Sequence, residues 1–120
     1  MSHTIRTAAQ AAAELQRQDW GTLNWLASGA LTGSALTLGR VVIRKGQSNP
    51  RHCHRTCEEA LYLLAGRLRH SVGDHSVVLE PGDTLVIPAG VMHNALSLGD
   101  QDADMIVVYS SGQRDFVLEG

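Results

Sequence analysis

Aromatic side chains are nearly missing from this chain: two Trp, two Tyr and one Phe make up 4% of it. The core must therefore be built from Val, Leu, Ile and Ala, which bury well but offer no ring to stack. Cysteine is equally scarce. Cys53 and Cys57 are four apart, so a bond between them would close only a tiny loop. A disulfide framework uses more cysteines, and a reducing compartment is expected. No run of Lys or Arg exists, and ten basic against twelve acidic side chains leave a net charge near −2. Nothing here would neutralise a row of phosphates, so nucleic acid is not an expected partner. Long hydrophobic runs are absent too. Stretches such as Leu61–Ala65 fall far short of the ~20 residues a spanning helix needs, and no membrane partner is expected. Gln10 and Glu14 interrupt the Ala-rich N-terminus, which spoils a signal-like apolar core, so the cytoplasm is the expected location.

What is present fits one globular domain. The 120 residues are 43% apolar and 18% charged, and a fold of this length buries roughly two-thirds of its unfolded surface. Residues 7–20 (TAAQAAAELQRQDW) are rich in helix formers, with Thr7 as N-cap and Gly21 as terminator. A helical segment over 1–20 is predicted.

Beyond it the pattern changes. Eight short segments rich in Val, Leu, Ile and Thr follow: Leu23–Ala27, Ala35–Ile43, Ala60–Leu64, Leu68–Val72, Ser76–Leu79, Thr84–Ile87, His93–Leu98 and Met105–Tyr109. Between them lie SGALTGS, KGQSNP, VGD, PGD, PAG and LGDQDAD, each carrying turn residues. Eight short strands at this spacing predict an all-β antiparallel sandwich or barrel over 21–113, with 114–120 as a C-terminal tail. No repeat or internal linker divides the chain. Arg114–Leu118 is expected to cover an edge strand or to pair across a dimer, because exposed sheet edges need protection.

Two histidines stand at i and i+2 in His52-Cys53-His54. On a strand this spacing puts both imidazoles on one face and Cys53 on the other. Neutral imidazole is a common ligand for first-row divalent ions, although such a pair by itself is more often simply exposed. Glu59 follows five residues later. Glu58 and Glu59 are adjacent, so only one can share the inward face. A third histidine, His93, comes after the turn Pro88-Ala89-Gly90.

These residues carry a resemblance. Gly46-(x5)-His52-x-His54-(x4)-Glu59-(x6)-Gly66 resembles the first motif of the cupin family, and Gly82-(x5)-Pro88-x-Gly90-(x2)-His93 resembles the second. All nine specified positions agree. The resemblance spans residues 46–97 and implies a double-stranded β-helix, that is, a jelly-roll β-sandwich, here with a short N-terminal helix. Carried over residue by residue, it implies a divalent transition metal ion held by His52, His54, Glu59 and His93. The spacing to Gly66 selects Glu59 over Glu58. One position departs: the second motif often ends with Asn four residues after its His, and here that residue is Ser97. Strand parity still aims Ser97 inward. The family also implies a homodimer.

Three imidazoles and one carboxylate would give the bound ion a net charge near +1 and leave up to two coordination positions open, as in catalytic rather than structural sites. Such mixed ligation suits Fe, Mn, Ni, Cu or Zn. The expected function is a metal-dependent enzyme (oxygenase, isomerase, lyase or decarboxylase) acting on a small organic molecule. A non-catalytic binding or sensing domain for a small molecule is the alternative.

Two further residues are catalytic candidates. His70 shares a strand face with Leu68 and Val72, and on an internal face it would serve as a base or substrate contact, or simply as a satisfied barrel histidine. Cys57 shares the parity of Glu59 and would either line the pocket or sit as a free thiol in its loop. A zinc-like set of His52, His54, Cys53 and Cys57 is geometrically poor, since Cys53 faces the other way. Tyr62 is expected off the metal face, His75 exposed in a turn, and Trp20 and Trp25 at the entrance of the barrel.

Overall fold

Strict alternation of large apolar residues with polar or small ones makes β-structure the cheapest way to bury one face of each segment. The computed structural model describes residues 2–120 and bears this out. The elements run α1 (Ala8–Ala13), β1 (Gln16–Gln18), β2 (Gly21–Ala27), α2 (Gly29–Thr32), β3 (Thr37–Ile43), β4 (His52–Cys53) and β5 (Glu59–Ala65). There follow β6 (Arg67–Val72), β7 (His75–Leu79), β8 (Thr84–Ile87), β9 (His93–Leu98), β10 (Ala103–Tyr109) and β11 (Val117–Leu118). All eight segments expected as strands are strands.

Two antiparallel sheets form the jelly-roll sandwich. One has six strands in the order β1-β2-β3-β10-β5-β8, the other five in the order β11-β4-β9-β6-β7. On β3, β5, β9 and β10 every second residue is buried, which sets Ile43, Leu61, Leu63, Ala95, Met105 and Val107 facing one another between the sheets. Aliphatic packing, as the composition required, makes the core. Gly39 on β3 is needed for one close approach: a Cβ there would stand 2.6 Å from the Trp25 ring, so its absence lets the indole lie flat on the sheet.

The N-terminal helix is shorter than predicted. Thr7 does cap it, in a reciprocal pair where the Gln10 N–H donates to Thr7 Oγ1 at 3.1 Å and the Thr7 N–H donates to Gln10 Oε1 at 2.8 Å. The helix ends at Ala13, not at Gly21, because Gln16–Gln18 pairs with Gly21–Leu23 as a hairpin. Ladder hydrogen bonds at the sheet edge outweigh the modest helix preference of Gln and Arg. The SGALTGS segment, expected as a turn, holds a single helical turn: Ser28 Oγ accepts from the Leu31 N–H at 3.1 Å, and Gly33 closes it in the left-handed region.

The C-terminal segment also differs from a plain tail. Val117 and Leu118 pair with Cys53 and His52, so β11 completes the five-stranded sheet from within the same chain. Among the described residues no helix is long and apolar enough to cross a membrane.

Candidate metal centre

Three strands and one loop deliver the site. His52 lies on β4 directly opposite His93 on β9, and their rings are 4.3 Å apart. His54 falls one residue past the end of β4, with its ring 4.9 Å from that of His52 and 5.2 Å from that of His93. Glu59 opens β5 in the other sheet and reaches across the sandwich. Gly90 couples the two motifs: its positive φ of 83° turns the chain so that its N–H donates to the His54 carbonyl at 2.7 Å.

Each imidazole is oriented by a backbone carbonyl. Nδ1 of His52 contacts Pro50 O at 2.7 Å, Nδ1 of His54 contacts Asp115 O at 2.6 Å, and Nδ1 of His93 contacts Val91 O at 2.9 Å. A carbonyl oxygen can only accept, so each Nδ1 carries the proton. In the neutral ring each Nε2 is then a bare lone pair. Nε2 of His54 and of His93 stand 3.3 Å and 3.2 Å from Oε1 of Glu59.

Lone pairs facing a carboxylate oxygen in a buried place repel one another unless a cation lies between them. Nε2 of His54, Nε2 of His93 and Oε1 of Glu59 are all shielded from solvent and without a hydrogen-bond partner, a situation that normally costs a few kcal/mol per group. Two ligand atoms each about 2.1 Å from a shared ion and at right angles to each other lie about 3 Å apart, which is the spacing seen here. The metal-donor atoms of His52, His54 and His93 lie within 4.8 Å of one another. The donor set therefore fits a divalent metal ion.

Burial pushes the Glu59 carboxyl upward; a proton on Nε2 of His54 and of His93 would reverse this and hold it at about 2, and a cation between the three atoms acts in the same sense. Burial lowers His52 to about 4, against the carbonyl of Pro50. An ionised carboxylate and a neutral imidazole are the forms that bind metals. Glu58, the adjacent acid, is exposed.

His52, Glu59 and His93 line a cavity of about 430 Å³. Its walls include Trp20, Leu23, Trp25, Ile43, Met105 and Phe116. His70 lines it as well: the residue is 2% exposed, its ring stacks on His93 at 5.7 Å, and its Nδ1 contacts Ser71 O at 3.0 Å. Burial lowers its pKa, so it is a neutral base with Nε2 free. Cys57 does not line the cavity. Its side chain is buried in the hydrophobic core, where burial raises the thiol pKa and opposes use as a nucleophile. Both cysteines are unbonded. Ser97 is buried as its parity required, with Oγ 3.5 Å from Gln101 O. Tyr62 and His75 are exposed.

Sequence reasoning missed four residues around the site. Tyr109 could have been found by parity, since it follows Met105 and Val107 on the inner face of β10; its ring packs 4.8 Å from His54. Burial, then the charge of Glu59, raises its phenol well above the usual value. Arg114, Asp115 and Phe116 carried no local signal. Phe116 stacks on His52 at 4.5 Å. The Asp115 carboxylate accepts from the Arg55 and Thr56 N–H groups at 2.8 Å and 3.1 Å, which pull its pKa down to about 2.

Known proteins were compared once this geometry was in hand. The sequence profile of the cupin domain matches residues 39–109. Germin-like protein 3-8 of Oryza sativa subsp. japonica is 31% identical over 90 residues, covering 71% of this chain and 40% of its own length. Oxalate oxidase 1 of Hordeum vulgare is 29% identical over 117 residues, covering 91% of this chain and 54% of its own. The chain thus spans about half the length of these curated relatives. Among solved structures, the S161A mutant of a Bacillus subtilis oxalate decarboxylase superposes with a TM-score of 0.83 at 16% identity, over 91% of this chain and 31% of that one. An oxalate oxidase superposes with a TM-score of 0.76 at 23% identity, over 86% and 57%. At these identities the two structures speak to fold alone.

Proposed function

The chain belongs to the cupin family, and from that premise we propose that it is a metal-dependent enzyme acting on a small organic molecule in the cavity above its four ligands. The metal-binding residues would be His52, His54 and His93 through Nε2, and Glu59 through Oε1. The observation that carries the reading is the set of buried, partnerless acceptor atoms aimed at one point, with each Nδ1–H already committed to a carbonyl.

When bound, an Fe, Mn, Ni, Cu or Zn ion supplies a Lewis acid or a redox centre. This chain's own residues do the rest. Glu59 brings one negative charge to the site, and the three carbonyl-fixed imidazoles keep their lone pairs aimed without reorganisation. Trp20, Trp25 and Phe116 give the space above apolar walls. Nε2 of His70, held neutral by burial, is the group available to accept a proton from a substrate seated there. The relative named oxalate oxidase 1 supports a small carboxylate as one substrate to try first.

The test begins with metal analysis of the purified chain after growth with each ion supplied. Turnover is then followed by oxygen consumption and product analysis on a panel of oxalate, oxo-acids, phenols and thiols. Stoichiometric metal and a turnover abolished by His54→Ala is the expected result. Tight binding of a panel member without turnover would instead make the chain a binding domain, and protein that takes up no ion would overturn the reading.

A further inference from the structure

Arg114 is a cation without an anion. Arg6, Arg40, Arg51 and Arg67 each reach a carboxylate, and Arg17, Arg44, Arg55 and Arg69 are exposed to water. Arg114 is partly exposed and reaches no carboxylate. Its guanidinium carbon sits 4.3 Å from the Trp25 ring, 5.3 Å from the Tyr109 ring and 5.6 Å from the Phe116 ring. Its Nε is shielded and has no hydrogen-bond partner, and no carboxylate of the described residues lies within ion-pair distance. The phenol of Tyr109 lies beside Arg114.

Stacking on the aromatic faces leaves the shielded Nε–H without an acceptor. The chain holds the side chain firmly. Asp115, the next residue, is pinned by the Arg55 and Thr56 amides, and Phe116 beyond it is stacked on His52. A fixed, partly desolvated guanidinium at a cavity wall is a pre-organised receptor for a carboxylate, which it binds by two parallel hydrogen bonds.

The cavity fixes what else such a ligand must be. Arg114 is separated from the rings of His54 and His52 by little more than Tyr109 and Phe116. The cavity that Arg114 lines together with His52, Glu59 and His93 is walled by Trp25, Ile43 and Met105 and measures about 430 Å³ in all, enough for an aromatic or branched body rather than a two-carbon diacid alone. With a divalent ion on Glu59 the floor carries one positive charge and Arg114 a second, so an anion is favoured at both ends.

We propose that Arg114 is the specificity-determining anchor of this cavity and that its ligands are organic acids with an apolar body. The carboxylate pairs with Arg114 while a second oxygen at the far end faces His52, His54, His93 and Glu59. This rests on the metal-centre reading above and names its substrate class.

Calorimetry on the zinc-loaded full chain tests it, with 4-hydroxyphenylacetate and 3-phenyllactate each titrated against its own amide. The acids should bind at least about tenfold tighter than the amides, as one charge-assisted pair allows. Arg114→Met should bring that ratio close to one with zinc content unchanged, and Arg114→Lys should keep part of it. Equal binding of acid and amide, an unchanged ratio in Arg114→Met, or no saturable binding of either acid overturns the proposal. Zinc content of the same preparations separates the two ideas. A zinc-loaded chain without the preference removes the anchor and spares the metal centre, while a preference persisting in a chain that takes up no metal does the reverse.

Discussion

The carbonyl of Asp115 accepts a hydrogen bond from Nδ1 of His54 at 2.6 Å, joining residues 61 positions apart. The segment leading into the last strand therefore orients a side chain of the first motif. Because the same residue's carboxylate caps the Arg55 and Thr56 amides, the loop that carries His54 is held from both its backbone and its ring.

Asp115→Asn keeps the carbonyl that orients His54 but weakens the side-chain cap on the Arg55 and Thr56 amides, so metal binding should weaken by less than the about 10-fold that loss of an orienting group costs. Competition with a chromophoric chelator measures it. The acid side of the same change follows from the Asp115 pKa of about 2, below its ordinary 3.8. A depressed carboxyl stabilises the fold above the unfolded value and loses that contribution as pH falls toward the folded one. The gap in urea midpoint between wild type and Asp115→Asn should thus close between pH 4 and pH 2.

Replacing His52, His54 or His93 by Ala should remove most of the metal while the β-sheet circular dichroism stays unchanged, because the core beneath is independent of the ligands. Glu59→Gln should lower metal content and Glu58→Gln should not, as read by elemental analysis. Full occupancy after His93→Ala would contradict the ligand assignment.

His52 gives the metal-free protein a pH dependence of its own. Burial lowers its pKa from 6.5 to about 4, so between those values the unfolded chain binds a proton that the folded chain refuses. Stability should fall as pH drops from 6.5 toward 4 and be flat above. His52→Gln should flatten the slope in that window, measured by urea midpoints on chelator-treated protein.

Gly39→Ala tests the wall of the cavity. The added methyl would stand 2.6 Å from the Trp25 ring, and relieving that overlap should cost about 1–3 kcal/mol of stability. Tryptophan fluorescence should shift to the red as the indole leaves its seat. An unshifted spectrum with unchanged stability would show that the ring has room to spare.

Much of this was legible in one dimension. The i, i+2 spacing of His52 and His54, the distance from Glu59 to Gly66 and the Pro-Ala-Gly turn before His93 are local patterns, and local patterns survive in sequence because each strand has a fixed period. The parity of β5 allowed only one of Glu58 and Glu59 to face inward and the motif spacing to Gly66 selected Glu59, while the parity of β10 would have told that Tyr109 faces inward. The N-terminal helix was overextended because the pairing of Gln16–Gln18 with β2 competes at a level that propensity does not see.

The residues of the chain alone thus determined the strand pattern and the two motifs, set by short-range periodicity and turn chemistry, and the resemblance of those motifs to the cupin pattern pointed to the four proposed ligand positions. Only the tertiary structure decided that Asp115 would orient His54, that Phe116 would stack on His52, and that Arg114 would face the cavity without an anion. Those contacts join the end of the chain to its middle across two sheets. Their energies depend on which surfaces meet, and no spacing along the chain encodes that.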